Sequence, residues 1–144
     1  MAEKKYIIKQ ISIFSENKPG RLASIAHALE EAGINILAFS IAEANGFGVV
    51  RALVNRPDAA HETLTSMGFM VSFTDVIAVR MRDEPGGLFE IARILGEAGI
   101  NIEYSYAYSG KEGAVLILRI DRVEEGVRQI LQAGGEVLIS DLFQ

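Results

Sequence analysis

The chain of 144 residues contains no cysteine. This absence excludes disulfides, cysteine metal ligands and a cysteine nucleophile, and it is compatible with a reducing cytosol. The first ten residues, MAEKKYIIKQ, lack the apolar stretch of a signal peptide. No uncharged apolar run approaches the ~18 residues that a membrane helix needs. These absences predict a cytoplasmic protein without a membrane partner.

Clustered positive charge is also absent. The formal net charge is −5, and the 14 lysines and arginines are scattered along the chain. Proteins that bind nucleic acid carry a concentrated basic patch that neutralises phosphates, so nucleic acid is not an expected partner. The glycine pairs have neither the GxGxxG nor the GxxxxGK[ST] spacing of a nucleotide loop, and no cofactor is expected.

Candidate catalytic and metal-binding groups are sparse. His27 and Glu31 are four residues apart on a predicted helix, but two ligands do not make a zinc site. The adjacent pairs Glu30-Glu31 and Glu124-Glu125 point in different directions on their helices and form solvated faces. No nucleophilic side chain has a candidate general base at a sequence spacing that would support a catalytic pair. The sequence therefore predicts a protein that is not an enzyme, with no catalytic residue and no metal ligand.

What the chain does contain is an internal repeat. Twelve of the twenty residues in the segment 17–36 recur identically 66 positions later, in the segment 83–102. Such a repeat indicates two copies of one structural unit, neither of which has a large core of its own. The predicted modules span residues 1–74 and 75–144.

Each copy has the hydrophobic pattern of a β-α-β-β-α-β unit. Amphipathic stripes with apolar residues at i, i+3, i+4 and i+7 begin near Pro19 and Pro85, and further helices begin at Pro57 and Asp121. Asp121 and Glu124 resemble a capping box. The predicted strands are residues 6–15, 34–43, 48–54, 69–74, 76–81, 100–109, 114–120 and 136–142. The fold class is α+β, with two ferredoxin-like modules whose helices cover one face of an antiparallel sheet.

The repeated segment opens with a Pro-Gly turn at the start of a helix. If Pro19 is the first helical residue, the residue before it is not a favoured N-cap, so backbone N–H groups are left without partners. Gly20 and Gly86 let another group approach these donors, which suit a carboxylate or a phosphate. In the alternative interpretation this is an ordinary turn, in which Asn17 and Asp83 satisfy the backbone of their own loop.

The pattern Asn/Asp-x-Pro-Gly-x-Leu, an amphipathic helix and Ala-Gly-Ile-Asn-Ile resembles the ACT domain family. It occurs in full at residues 17–22 with 32–36, and again at residues 83–88 with 98–102. The resemblance implies a tandem ACT protein, a regulatory protein that binds a free amino acid or a similar small carboxylate. It also implies that the modules join side by side into an eight-stranded sheet with the ligand at their interface.

The resemblance assigns ligand contacts to the loop before the first helix of each copy and to the start of the following strand. The implied ligand-binding residues are Asn17, Lys18, Pro19, Gly20, Arg21, Leu22, Asn35, Ile36, Asp83, Glu84, Pro85, Gly86, Gly87, Leu88, Asn101 and Ile102. The two loops differ, because Arg21 aligns with Gly87 and because acidic residues in the second loop repel a carboxylate. We therefore expect the first loop to bind the anionic end of the ligand.

The copies also differ in their second strands, where Tyr104, Tyr106 and Tyr108 replace Ala38, Ser40 and Ala42. These tyrosines either pack in the core or an interface, or line one of two unlike pockets.

The alternative from another functional class is a protein that acts by binding another protein. Acetolactate synthase small subunits also start with an ACT module that the first copy resembles, although their usual C-terminal portion is not visible in this sequence. In this alternative the chain is a stand-alone regulatory subunit of an amino-acid biosynthetic enzyme, and ligand binding is secondary. The resemblance favours a homodimer, while a monomer whose two copies satisfy each other's sheet edges remains the alternative.

Overall fold

The computed structural model describes residues 2–111 and 113–143. The chain divides into two compact units, the first unit (residues 9–74 with 143) and the second unit (residues 75–142 with 2–8). Gln144, the last residue of the predicted second module, lies outside the described residues. No helix in the described part of the chain is long and apolar enough to cross a membrane.

Six strands and four α-helices form the two units. The predicted α+β class and the twice-repeated order of a ferredoxin-like module are confirmed. The strands are β1 (Ile8–Glu16), β2 (Ile36–Ala44), β3 (Phe47–Val54), β4 (Met70–Arg80), β5 (Ile102–Gly110) and β6 (Gly113–Ile120). The helices are α1 (Arg21–Glu31), α2 (Pro57–Ser66), α3 (Gly87–Glu97) and α4 (Val123–Gln132), and short 3-10 helices span Ala2–Tyr6 and Ser140–Phe143.

The strand order is β2-β3-β1-β4 in the first unit and β4-β6-β5 in the second. The expectation of eight strands is wrong for the described residues, for two reasons. The predicted strands 69–74 and 76–81 are one continuous strand, β4, because Asp75 does not interrupt the extended backbone. The predicted last strand, 136–142, keeps only a bridge between Val137 and Val79 and then turns into a 3-10 helix.

The helices of each unit cover one face of its strands, as predicted. In the first unit Leu29 of α1 and Leu64 of α2 pack with Ile11, Ile13 and alternate residues of β3. The second unit repeats this cluster with residues of β4, β6, α3 and α4. Because successive side chains of a strand alternate between faces, this packing identifies the helix-facing side of each β-sheet.

The repeated Ala-Gly-Ile sequence ends the first helix of each copy. Gly33 has a φ of 72°, its N–H donates to the Glu30 carbonyl at 2.9 Å, and the N–H of Ile34 donates to the Leu29 carbonyl at 2.8 Å. This pair of bonds is a Schellman motif, which requires a left-handed residue and therefore favours glycine. Gly99 forms the same motif in the second copy. This part of the repeat is a structural helix stop.

Candidate functional site

The loop between β1 and α1 ends in a glycine N-cap. Gly20 has a φ of 89°, and the N–H of Arg21, the first residue of α1, donates to the Lys18 carbonyl at 3.1 Å. The prediction that Pro19 is the first helical residue is therefore wrong, since the helix begins two residues later. Gly86, with a φ of 93°, is the equivalent N-cap of α3.

Neither helix has a side-chain hydrogen bond at its N-cap, because in each helix the N-cap is a glycine. The N–H of Ser24 donates to the Gly20 carbonyl at 2.9 Å. Within the described residues, the backbone N–H groups of Leu22 and Ala23 have no hydrogen-bond acceptor in the loop. These donors lie at the positive end of α1, where an anion is stabilised.

A small cleft of about 20 Å³ lies between this helix start and the ends of three strands on the helix-facing side of the first unit. One wall is polar and is formed by Ser15, Glu16, Asn17 and Arg21, and the other is apolar. The apolar wall and floor are formed by Leu22, Ile25, Ile41, Gly48 and Val50. Hereafter these nine residues are called the first-loop cleft.

The charged groups of the first-loop cleft leave one cation available. The Nζ of Lys18 lies 2.8 Å from Oε2 of Glu16. The hydrogen bond and charge of Lys18, and then the charge of Arg21, hold the pKa of Glu16 below its ordinary value. Arg21 itself makes no ion pair within 4 Å and no side-chain hydrogen bond with the described residues. Its guanidinium can therefore bind a carboxylate.

The loop of the second unit has the opposite arrangement of charge. Arg82 stands where the first unit has Glu16, and Glu84 stands where it has Lys18. Arg82 donates from Nε and Nη2 to the Glu90 carboxylate, at 3.2 and 2.5 Å, and also forms an ion pair with Glu84. The cation of this loop is therefore already paired with two carboxylates.

The second loop also has no room for a counterpart of Arg21. A Cβ atom on Gly87 would overlap the backbone carbonyl oxygen of Arg82. The apolar lining at the equivalent positions is different as well, because Ala114 replaces Gly48 and Ala107 replaces Ile41. The two loops therefore differ in the space available for a side chain as well as in charge.

The predicted residues at the start of β2 and β5 do not lie beside the loop of their own unit. Ile36 pairs with Val54, whereas the N–H of Asn17 donates to the Gly46 carbonyl at the opposite end of β3. Asn35 instead exchanges hydrogen bonds with Asn55, whose Oδ1 accepts from the Asn35 N–H at 3.0 Å.

The second copy repeats this arrangement. The Oδ1 of Asp121 accepts from the Asn101 N–H at 3.2 Å, so the predicted capping box is wrong, and Arg122 is the N-cap of α4. Ile102 pairs with Ile120 at the end of β6 that is remote from the second loop. Within each unit, the structure therefore separates the two groups of predicted site residues.

The three tyrosines of β5 lie on the other face of their sheet. Tyr106 pairs with Ile117, which alternates with the helix-facing residues Leu116 and Leu118. The tyrosine side chains are half-buried on the face away from α3 and α4. They do not line the second-unit counterpart of the first-loop cleft.

Six residues of the cleft were not predicted from the sequence, namely Ser15, Glu16, Ile25, Ile41, Gly48 and Val50. Three of them, Ile41, Gly48 and Val50, could have been predicted from the dipeptide Asn45-Gly46. Both residues have positive φ, as in the two-residue turns that fix hairpin register. That register places Ile41 opposite Val50, and it places Gly48 at the end of β3 next to the loop.

The described residues contain no group of three or more histidine, cysteine, aspartate or glutamate side chains that could hold a metal ion. His27 lies beside two carboxylates, with Nδ1 at 3.4 Å from Glu30 and Nε2 at 2.9 Å from Glu31. All three side chains are exposed, so this is a solvated helix face.

Two ferredoxin-like units with glycine-capped helix starts define the class of protein. The sequence matches the family model of the ACT domain pair over residues 6–141. The chain therefore belongs to the ACT domain-pair family, a regulatory type of domain. A search of curated proteins found no match.

Solved structures extend this comparison. The chain is similar to protein BT0572 from Bacteroides thetaiotaomicron, with a TM-score of 0.89, 33% identity, and coverage of 96% of this chain and 97% of that one. It is similar to a chain of the aspartokinase alpha and beta subunits, with a TM-score of 0.59, 25% identity, and coverage of 89% and 96%. The regulatory subunit of aspartate kinase from Thermus thermophilus shares the fold, with a TM-score of 0.63, 20% identity, and coverage of 87% and 91%.

Proposed function

We propose that the protein is a non-catalytic regulatory protein that binds a free amino acid at the first-loop cleft. The observation that carries this proposal is the guanidinium of Arg21, which has no ion-pair partner within the described residues and lies beside an uncapped helix start. The second loop contains the same turn, but its arginine is paired with Glu84 and Glu90.

Each charged group of an amino acid has a complementary group at the cleft. Arg21 and the N–H groups of Leu22 and Ala23 suit the carboxylate, because both kinds of donor favour an anion. Glu16 suits the ammonium group, which would share this carboxylate with Lys18, 2.8 Å away. A volume of about 20 Å³ admits roughly one water-sized group, so the ligand inserts one end into the cleft and leaves the rest at the surface.

A thermal-shift screen of the purified protein against the twenty amino acids tests this function. A ligand present at 100 times its Kd adds about 2.7 kcal/mol to the free energy of unfolding. For a protein of this size, we expect Tm to rise by roughly 5–10 °C with the right amino acid. If none of the twenty raises Tm, amino-acid binding is not the function.

A stand-alone regulatory subunit of an amino-acid biosynthetic enzyme is the second candidate. It is supported by the similarity to the aspartokinase alpha and beta subunits, which covers almost the whole of both chains. An assay of aspartate kinase from the source organism, with and without this protein, separates the candidates. A change in enzyme activity without any amino-acid binding would favour the second candidate over the first.

A further inference from the structure

We propose that the ligand of the first-loop cleft is an amino acid with a small aliphatic side chain. This inference rests on the proposed function and adds the class of ligand to it. Amino acids with basic, acidic or aromatic side chains are the competing classes. The charges, the apolar wall and the size of the cleft each bear on this choice.

The charged side chains lining the cleft match the two charged groups that every free amino acid carries, the α-ammonium and the α-carboxylate. Glu16 is the one carboxylate among the nine lining residues, and Arg21 is the one cation. A bound zwitterion would place its carboxylate on Arg21 and its ammonium on Glu16, which it would share with Lys18 at 2.8 Å. Neither is then left to pair with a charged side chain, and a charge placed against the remaining wall would lose hydration without gaining a partner.

The remaining wall is apolar. Ile25 is 1% exposed and Val50 is 8% exposed, so the floor belongs to the core of the first unit. Leu22 and Ile41 are exposed at 36% and 44% and form the mouth. An aliphatic side chain that covers these groups removes apolar surface from water on both sides, which is favourable.

The absence of a side chain on Gly48 sets the size of the cleft. A Cβ at this position would lie 3.4 Å from Cβ of Asn17 and 3.7 Å from the carbonyl oxygens of Ser15 and Ala42. These are ordinary van der Waals distances, so an alanine methyl would fit at this position and would take up part of the cleft. The cleft volume of about 20 Å³ admits roughly one water-sized group, such as the methyl end of an aliphatic side chain, and no aromatic ring. The equivalent position of the second unit is already filled by the methyl group of Ala114.

The test combines a ligand panel with a variant that fills the cleft. L-Valine, L-leucine and L-isoleucine are titrated into the protein by calorimetry, alongside L-lysine, L-aspartate and L-phenylalanine. We expect binding of at least one aliphatic amino acid and no binding of the other three. Gly48→Ala should weaken aliphatic binding by about tenfold or more, the scale of one methylene in an apolar pocket.

The folded state should tolerate this variant, because the added methyl meets no atom closer than 3.4 Å and glycine carries an entropic cost in a strand. Ala114→Gly is the matched control and should leave ligand affinity unchanged. Tight binding of lysine, aspartate or phenylalanine would overturn the inference while leaving amino-acid binding intact. Unchanged affinity of Gly48→Ala for an aliphatic ligand would also overturn it, whereas failure of all twenty amino acids would refute the proposed function itself.

Discussion

Replacing Arg21 with glutamine is expected to weaken amino-acid binding by about 10- to 100-fold. A hydrogen bond to a charged group contributes about 1.5–3 kcal/mol, and each 1.4 kcal/mol corresponds to a factor of ten in Kd. Glutamine keeps part of the side-chain length and one donor group but removes the positive charge and the forked geometry that suits a carboxylate. The Kd is measured by calorimetry with the amino acid that raises Tm most in the wild-type protein.

Arg82→Gln is the matched control for Arg21→Gln. Arg82 already pairs with Glu84 and Glu90 in the second loop, and all three side chains are about half exposed. Exposed ion pairs contribute at most about 1 kcal/mol, so the control should change Tm little and ligand affinity not at all. Equal losses of affinity in the two variants would contradict the assignment of the ligand to the first loop.

Replacing Gly87 with alanine is expected to destabilise the protein by about 1–3 kcal/mol, the usual cost of overpacking. The added Cβ would overlap the carbonyl oxygen of Arg82, a backbone atom that can move only if the whole loop shifts. The free energy of unfolding is measured by urea denaturation. A value equal to that of the wild-type protein would show that this loop is not tightly closed.

Gly96→Ala provides the control in the same helix. Apart from the adjacent residues and the backbone of its own helix, no described atom lies within 4 Å of a Cβ built on Gly96. Alanine is about 1 kcal/mol more favourable than glycine in a helix interior. The same substitution should therefore stabilise the protein at this position and destabilise it at Gly87. A larger loss of stability at Gly96 than at Gly87 would contradict the steric explanation.

Much of the fold could be predicted from the sequence because its boundaries are set by local chemistry. Gly33 and Gly99 end their helices through a left-handed conformation that glycine adopts readily, and the helices that follow a Pro-Gly turn begin within two residues of the expected position. The merger of two predicted strands into β4 was missed because residue 75 is polar but does not break an extended chain. The secondary structure of residues 136–142 depends on tertiary contacts that cannot be read from the local sequence pattern.

The candidate site was predictable only in part. The Pro-Gly turns mark both loops, but residues close in sequence to the loop are not all close in space. Helix α1 has 11 residues and spans roughly 16 Å at 1.5 Å per residue, so Asn35 lies at the far end from Asn17. The cleft also needs Ile41 and Gly48, which reach the loop through strand pairing. That pairing follows from the register of a hairpin and not from the repeated motif.

The central claim is that the two copies share a fold but that only the first loop binds ligand. The stoichiometry of amino-acid binding to the wild-type protein, measured by isothermal titration calorimetry, tests it most directly. We predict about one ligand per chain, because Arg21 makes no ion pair with the described residues at the first-loop cleft, whereas Arg82 of the second loop is paired with Glu84 and Glu90. Two equivalent ligands per chain, or a single site that survives Arg21→Gln and is lost in Arg82→Gln, would contradict it.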